Sequence, residues 1–215
     1  MNTSTFKSPS GDGEALCYTP FGIIDLLNPK ESDVNVNIIA QALSRIPRFN
    51  GLTGDDGSYS VAQHCVIGAD AMYEATGDKE LAVRFLLHDA HEAFLGDITR
   101  PVQKCLGSDF YRQLESKKSK WDEVIYKKFG LTPPSSFEKT DLIHKMDNLM
   151  LAYEFREFFP QYFIKIPDTG VISSPEDKFN IPIVARIIRR GLTKRWTDKE
   201  AKARFIGFPR ILQQL

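Results

Sequence analysis

The sequence carries no surplus of either charge: 28 Lys and Arg are matched by 28 Asp and Glu across 215 residues. A surface that grips nucleic acid through many phosphates needs a strong positive excess, so that class is disfavoured. Cysteine is scarce. Cys17, Cys65 and Cys105 form no CxxC pair, which excludes a zinc ribbon and a disulfide framework and points to reduced thiols and a cytoplasmic location. Apolar runs are short, and none approaches the roughly 20 residues of a membrane helix. The polar N-terminal stretch MNTSTFKSPSGDGEA has no apolar core of the kind a secretory signal carries, and reads as a disordered tail over 1–15. Familiar catalytic templates are missing as well. Gly51, Gly54 and Gly57 are followed by no Lys-Ser/Thr, no GxSxG string occurs, and Leu95 stands where an HExxH motif opened by His91-Glu92 would need histidine.

What is present is a hydrophobic share of 42% with 15 phenylalanines, enough for one packed domain over 16–215. Its dominant signal is helical. Ser60 and Gln63 read as a capping box opening a helix over about 60–75, stopped by Gly77. A second helix is expected from Asp78 to about Leu95, a third and exposed one from about Gly107 to Phe129, and a fourth from about Ser136 to Phe159. Further helices follow from about Ile181 to Arg190 and from a Thr197 cap with Glu200 at N3, making up a C-terminal helical segment over 181–215. The partial alternation of Tyr162 to Ile166, with turn residues Asp168-Thr169-Gly170, predicts one short β-hairpin around 162–173. The fold class is therefore all-α, with that hairpin as its one β feature.

The four histidines, His64, His88, His91 and His144, all lie on predicted helices beside carboxylates. The stretch His88-Asp89-Ala90-His91-Glu92, followed by Asp97, is flanked by Phe85, Leu86, Leu87 and Phe94, so much of it is buried. On one continuous helix, at about 100° per residue, His88, Asp89 and Glu92 share an arc and His91 falls to the side. Buried imidazoles and carboxylates on one arc need a cation or a closed hydrogen-bond network. An HD dipeptide by itself decides nothing, and such a network without metal is its ordinary meaning. What gives it weight is His64 upstream in one helix and Asp147 downstream in another.

This order, His then His-Asp then Asp on three helices, resembles the HD superfamily of metal-dependent phosphohydrolases. HDAHEAFLGDITRPVQK and RFNGLTGDDGSYSVAQHC are similar to the corresponding segments of the bacterial 5′-deoxynucleotidases and of phage-encoded HD proteins that hydrolyse deoxynucleoside triphosphates. The resemblance covers about 45–155. It implies an HD-type helical bundle and a cytoplasmic hydrolase acting on (deoxy)nucleotides, as a 5′-nucleotidase or a triphosphohydrolase. It further implies that His64, His88, Asp89 and Asp147 hold one divalent transition metal, of the Mn, Co, Zn, Fe or Ni type rather than Mg. Glu92 and Asp97 then match catalytic carboxylates, and Arg48 and Phe49 match an Arg-aromatic pair that touches phosphate and nucleoside. Homo-oligomers, dimers or larger, are common in that branch.

Two other readings stay open. One is an HD-type nuclease or cyclic-nucleotide phosphodiesterase, for which the basic stretch from Ala185 to Leu215, with nine Lys and Arg against Asp198 and Glu200, is the local support. A solvated helix face explains that stretch better. The other is a nucleotide-binding regulatory module that keeps the ligands but does not turn over. Lys104 reads as an ordinary surface residue and His144 as a core or surface residue; His91 could contribute to a second metal, but reads better as a neighbour of the ligands or a surface residue.

Overall fold

A computed structural model describes residues 15–54, 57–163 and 182–214. These residues are mostly helical, with one two-stranded antiparallel sheet among them, formed by β1 (Leu16–Thr19) and β2 (Gly22–Asp25). The helices are α1 (Val36–Leu43), α2 (Val61–Thr76), α3 (Lys79–Leu87), α4 (Glu92–Leu95), α5 (Arg100–Leu106) and α6 (Ser108–Lys128). Then come α7 (Thr140–Phe158), α8 (Pro160–Phe163), α9 (Pro182–Leu192) and α10 (Asp198–Gln214). All-α with one small hairpin is thus the observed class, although the hairpin lies at Leu16–Asp25. Of the stretch expected to form one, Tyr162 and Phe163 belong to α8 and the remainder lies outside the described residues. Of the expected tail, residues 1–14 lie outside the described residues too, whereas Ala15 accepts a hydrogen bond from the Leu26 amide at 2.8 Å and so extends the sheet.

The centre of the bundle is α2, buried at every position from Val61 to Ala69. A helix apolar on all sides must be surrounded, and α3, α7, α9 and α10 all pack on it. Ser60 caps it by accepting from the Gln63 amide at 3.2 Å, and Gly77 closes it in the left-handed region at φ 64°. The Gln63 side chain does not complete a capping box. It donates to the Gly191 and Lys194 carbonyls at 2.9 and 2.7 Å and accepts from the Trp196 amide at 3.0 Å, fastening the α9–α10 link to the start of α2. On the opposite side Arg84 of α3 donates to Glu80 and to Thr132 and stacks 3.8 Å over Phe137. That clamp fixes the approach to α7.

The expected helix from Asp78 to Leu95 is interrupted. It ends at Leu87, and His88–His91 wind through a tighter turn before α4 begins. The bonds there run three residues back, from Ala90 to Leu87 at 2.9 Å and from Glu92 to Asp89 at 3.0 Å. The cause is local: the Phe85 carbonyl, which an unbroken helix gives to the Asp89 amide, accepts from the His88 amide at 3.3 Å and pairs with His88 Nδ1 at 2.6 Å.

Packing between α2 and α3 is close enough to be tested by one methyl group. A Cβ at Gly68 would lie 2.1 Å from Phe85 Cε1, in a ring that is fully buried. Gly68→Ala is expected to cost about 2 kcal/mol, seen as a fall in Tm of roughly 4–8 °C. An unchanged melting curve would refute this account of the interface.

Candidate metal centre

Three helices and one loop bring the titratable groups together. His64 sits in the first turn of α2 with no exposed surface, His88 and Asp89 follow the end of α3, and Asp147 and Glu154 lie seven residues apart on α7. Two helical turns separate that last pair, so they share a face. The loop between α1 and α2 supplies Arg48 and Tyr59. An antiparallel bridge between Pro47 and Ser60 holds its two ends, with the Arg48 amide donating to the Tyr59 carbonyl at 2.8 Å. Phe49 and Asn50 then take left-handed backbone angles, φ 54° and 53°. Such angles are costly for side chains other than glycine, and here they turn the chain away just after Arg48.

The imidazoles are oriented from behind. His64 Nδ1 donates to Glu154 Oε1 at 2.6 Å, and His88 Nδ1 donates to the Phe85 carbonyl at 2.6 Å. Both acceptors lack a proton, so each neutral ring carries hydrogen on Nδ1 and presents the lone pair of Nε2 forward. His64 Nε2 lies 3.3 Å from Asp147 Oδ1 and 3.9 Å from Asp89 Oδ2, and His88 Nε2 lies 3.1 Å from Asp89 Oδ2 and 3.9 Å from Asp147 Oδ1. Neither Nε2 has a well-formed hydrogen bond among the described residues, although both are buried. Lone pairs that converge in this way repel unless a proton or a cation lies between them. The titration behaviour follows. Burial opposes charge on His88, but Asp89 and Asp147 outweigh it and raise its pKa well above the usual histidine value. For His64, burial and Arg48 oppose the charge, and Glu154 and Asp147 prevail to raise it. Asp89 and Asp147 are held below the ordinary carboxylate range despite their burial, through His88 and His64.

The residues singled out in the sequence are distributed as follows. His64, His88, Asp89 and Asp147 converge. Glu92 is 7% exposed and its Oε2 has no partner among the described residues; burial, then Asp89 and Asp97, push its pKa well up. Asp97 is half-buried, with burial and Asp89 raising its pKa over an opposing effect of Arg48. Arg48 is an inward residue whose Nε and Nη2 both donate to Glu154 Oε2, at 3.2 and 3.0 Å, with Nη1 turned to Asp89 at 3.6 Å. Phe49 packs edge-on against Phe155, Phe158 and Phe159. His91 is buried, with Nδ1 on Asp122 Oδ1 at 2.8 Å, while Lys104 and His144 are exposed at the cavity rim. Cys65 lies beside His88, and burial pushes its thiol up to about 11, which keeps it protonated and a poor ligand.

Glu154 and Tyr59 had escaped notice in the sequence. Glu154 is fully buried and takes four donors, since Tyr59 Oη also donates to its Oε1 at 2.9 Å. An acid one heptad beyond Asp147, inside the otherwise apolar stretch Leu149 to Phe155, was the available signal. A cavity of about 1060 Å³ opens in front of the cluster. His88, Asp89 and Asp147 line one wall, and Arg100, Lys104 and Lys118 supply positive charge. Arg100 reaches Asp147 Oδ2 at 3.4 Å from a largely exposed position.

Fold and site together define a helical protein with a partly buried two-histidine, two-aspartate cluster at the wall of a large cavity. No family model matches the chain. It is similar to an uncharacterized protein of Rhodobacter capsulatus, 33% identical over 110 residues, covering 50% of this chain and 54% of the relative. It is also similar to the uncharacterized protein YfdR of Escherichia coli, 36% identical over 127 residues, covering 59% of this chain and 62% of the relative. The chain thus spans between half and two thirds of the relatives it matches.

The anchoring role of Glu154 predicts a ranking. Glu154→Gln leaves Arg48 buried without its main counter-charge and is expected to cost about 3 kcal/mol, whereas Tyr59→Phe removes one hydrogen bond and is expected to cost about 1 kcal/mol. Urea unfolding measures both, and equal losses would contradict the assignment.

Proposed function

We propose that this protein is a metal-dependent phosphohydrolase of the HD type that acts on (deoxy)nucleotides. The observation that carries the reading is the pair of buried Nε2 atoms, fixed from behind by Glu154 and the Phe85 carbonyl and aimed at Asp89 and Asp147. Two neutral imidazoles and two carboxylates fit a divalent transition metal such as Mn, Co, Zn, Fe or Ni better than Mg. The Nδ1 hydrogen bonds are of the kind that orient metal-bound histidines. When bound, the cation supplies Lewis acidity, which makes water a competent nucleophile near neutral pH and offsets phosphoryl charge.

The chain's own residues supply the rest. Glu92, with a free oxygen at the edge of the cluster, orients the attacking water and receives its proton. Asp97 steadies the same water or returns a proton to the leaving oxygen. The cavity volume accommodates a nucleotide, and Arg100, Lys104 and Lys118 are the cations within reach of its phosphates. Arg48 and Phe49 are not among the residues that line this cavity: Arg48 is turned to Glu154 and Phe49 to its aromatic group, so their part is to support the site from behind. Among the described residues no helix is long and apolar enough to cross a membrane.

The decisive experiment strips the metal, restores Mn, Co, Zn or Mg singly, and follows phosphate, pyrophosphate and triphosphate release from ribo- and deoxynucleoside mono- and triphosphates. Asp147→Ala is expected to lose the tightly held metal and all turnover. Glu92→Gln is expected to keep that metal and lose 10²-fold or more in kcat. Full activity in either variant, or no metal-dependent release from any nucleotide, would overturn the proposal.

Metal binding must also displace protons from His64 and His88. Both values are raised in the metal-free fold, so their contribution to its stability is complete below the usual histidine pKa and is lost as pH rises through the raised values. The Tm gained on adding metal should therefore grow as pH rises through that range. A gain independent of pH would argue against the two imidazoles as ligands.

A further inference from the structure

His91 has no part in the reading above, yet it is as carefully placed as the other two site histidines. It is 6% exposed, its Nδ1 donates to Asp122 Oδ1 at 2.8 Å, and its Nε2 has no partner among the described residues. The orientation repeats that of His64: a carboxylate fixes Nδ1, and the Nε2 lone pair is left free in the interior. A ring nitrogen of His91 and one carboxylate oxygen each from Asp89 and Glu92 lie within 4.8 Å of one another. Since Asp122 occupies Nδ1, the nitrogen available to a ligand is Nε2. Glu92 Oε2 is likewise buried and unpartnered, so two of the three groups are orphaned polar atoms, each on a residue more than nine-tenths buried.

We infer that Asp89, His91 and Glu92, the last through Oε2 with Oε1 left for the water, form a second divalent-cation site, joined to the first through the shared Asp89 carboxylate and oriented by Asp122. The inference rests on the reading that His64, His88, Asp89 and Asp147 hold a first cation. The backbone explains how the groups meet. On an unbroken helix His91 and Asp89 would point to nearly opposite sides. The turn after Leu87 instead winds at about three residues per turn, which sets Glu92 over Asp89. His91 and Asp122 also line the same cavity as Asp89 and Asp147, so a cation bound there would face the same space.

The charge balance points the same way. Arg48 neutralises Glu154. That leaves Asp89 and Glu92 side by side at the edge of the cluster, with Arg48 Nη1 3.6 Å from Asp89, and a cation between the two carboxyl groups offsets the charge that they share. One nitrogen and two oxygens, with positions open toward the cavity, suit Mn, Fe, Co or Zn. Two cations sharing a carboxylate form a clamp that engages a phosphoryl group from both sides, so the ligand class is a phosphate ester or anhydride held between them.

Mn²⁺ is the probe. Metal-stripped protein dialysed against it is analysed for bound metal and by electron paramagnetic resonance, which distinguishes a coupled Mn pair from an isolated ion. The wild-type chain should hold two equivalents with a coupled signal. His91→Ala should hold one, with an uncoupled signal, and Asp122→Asn should weaken the second equivalent 10–100-fold while retaining the first. Asp122 is half-buried on α6, so this variant keeps the test informative if His91→Ala folds poorly. A wild-type protein that holds a single uncoupled equivalent, or a second equivalent that survives both substitutions, overturns the second site and leaves the first standing. A wild-type protein that holds none overturns the first reading as well.

Discussion

The site depends on one buried carboxylate. Glu154 has no exposed surface and accepts from His64, Tyr59 and twice from Arg48. Removing such a charge from water costs several kcal/mol, and only multiple good donors make its burial tolerable. Those donors come from α2 and the loop before it, while Glu154 itself stands on α7. The carboxylate therefore ties together the elements that present His64 and Asp147, and does so from behind, leaving the front of both side chains free. Burial and Arg48 act in opposite directions on its pKa, and the net lowering by Arg48, His64 and Tyr59 keeps it ionised. Held as an anion, it keeps the proton on His64 Nδ1, and so the lone pair on Nε2.

Around this anchor the apolar scaffold allows little adjustment. Gly68 admits the Phe85 ring against the α2 backbone, and Gly191 likewise lets Ile67 approach within 2.6 Å of where a Cβ would stand. Close approach of α3 and α9 to α2 is thus written into two glycines inside helices, where glycine otherwise costs about 1 kcal/mol relative to alanine. The same ring of Phe85 packs 4.4 Å from His88, and the Phe85 carbonyl orients it. Core packing and the orientation of the His88 ring meet in a single residue.

Much of this was legible in the sequence, and the misses have physical causes. Ser60, Gly77, Gly107, Gly130 and Thr197 mark helix ends through local capping chemistry, which one sequence displays directly. His64, His88, Asp89 and Asp147 were singled out through a motif pattern, and the structure places their side chains within 4 Å of a neighbour in the group. The hairpin at Leu16–Asp25 was missed because its strands are only four residues long, too short for an alternation signal to emerge, and α1 because its apolar residues span barely two turns. Glu154 was missed for a deeper reason. Its partners lie 90 to 106 residues away, and no local pattern announces that an acid inside an apolar helix will find Arg48, Tyr59 and His64.

The broken helix after Leu87 shows where local rules yield. Periodicity favours continuing to Leu95, and leucine, alanine and glutamate in this stretch are good helix formers. The chain turns more tightly because His88 competes for the Phe85 carbonyl with both its ring and its amide. An α-helix with 3.6 residues per turn could not set Asp89 directly beneath Glu92, as the tighter winding does. Propensity is overridden where four ionisable side chains in five positions must share a buried volume, and such conflicts between local preference and native geometry concentrate at functional sites. The turn is therefore better understood as the element that fixes which side chains face the cavity than as the frayed end of α3.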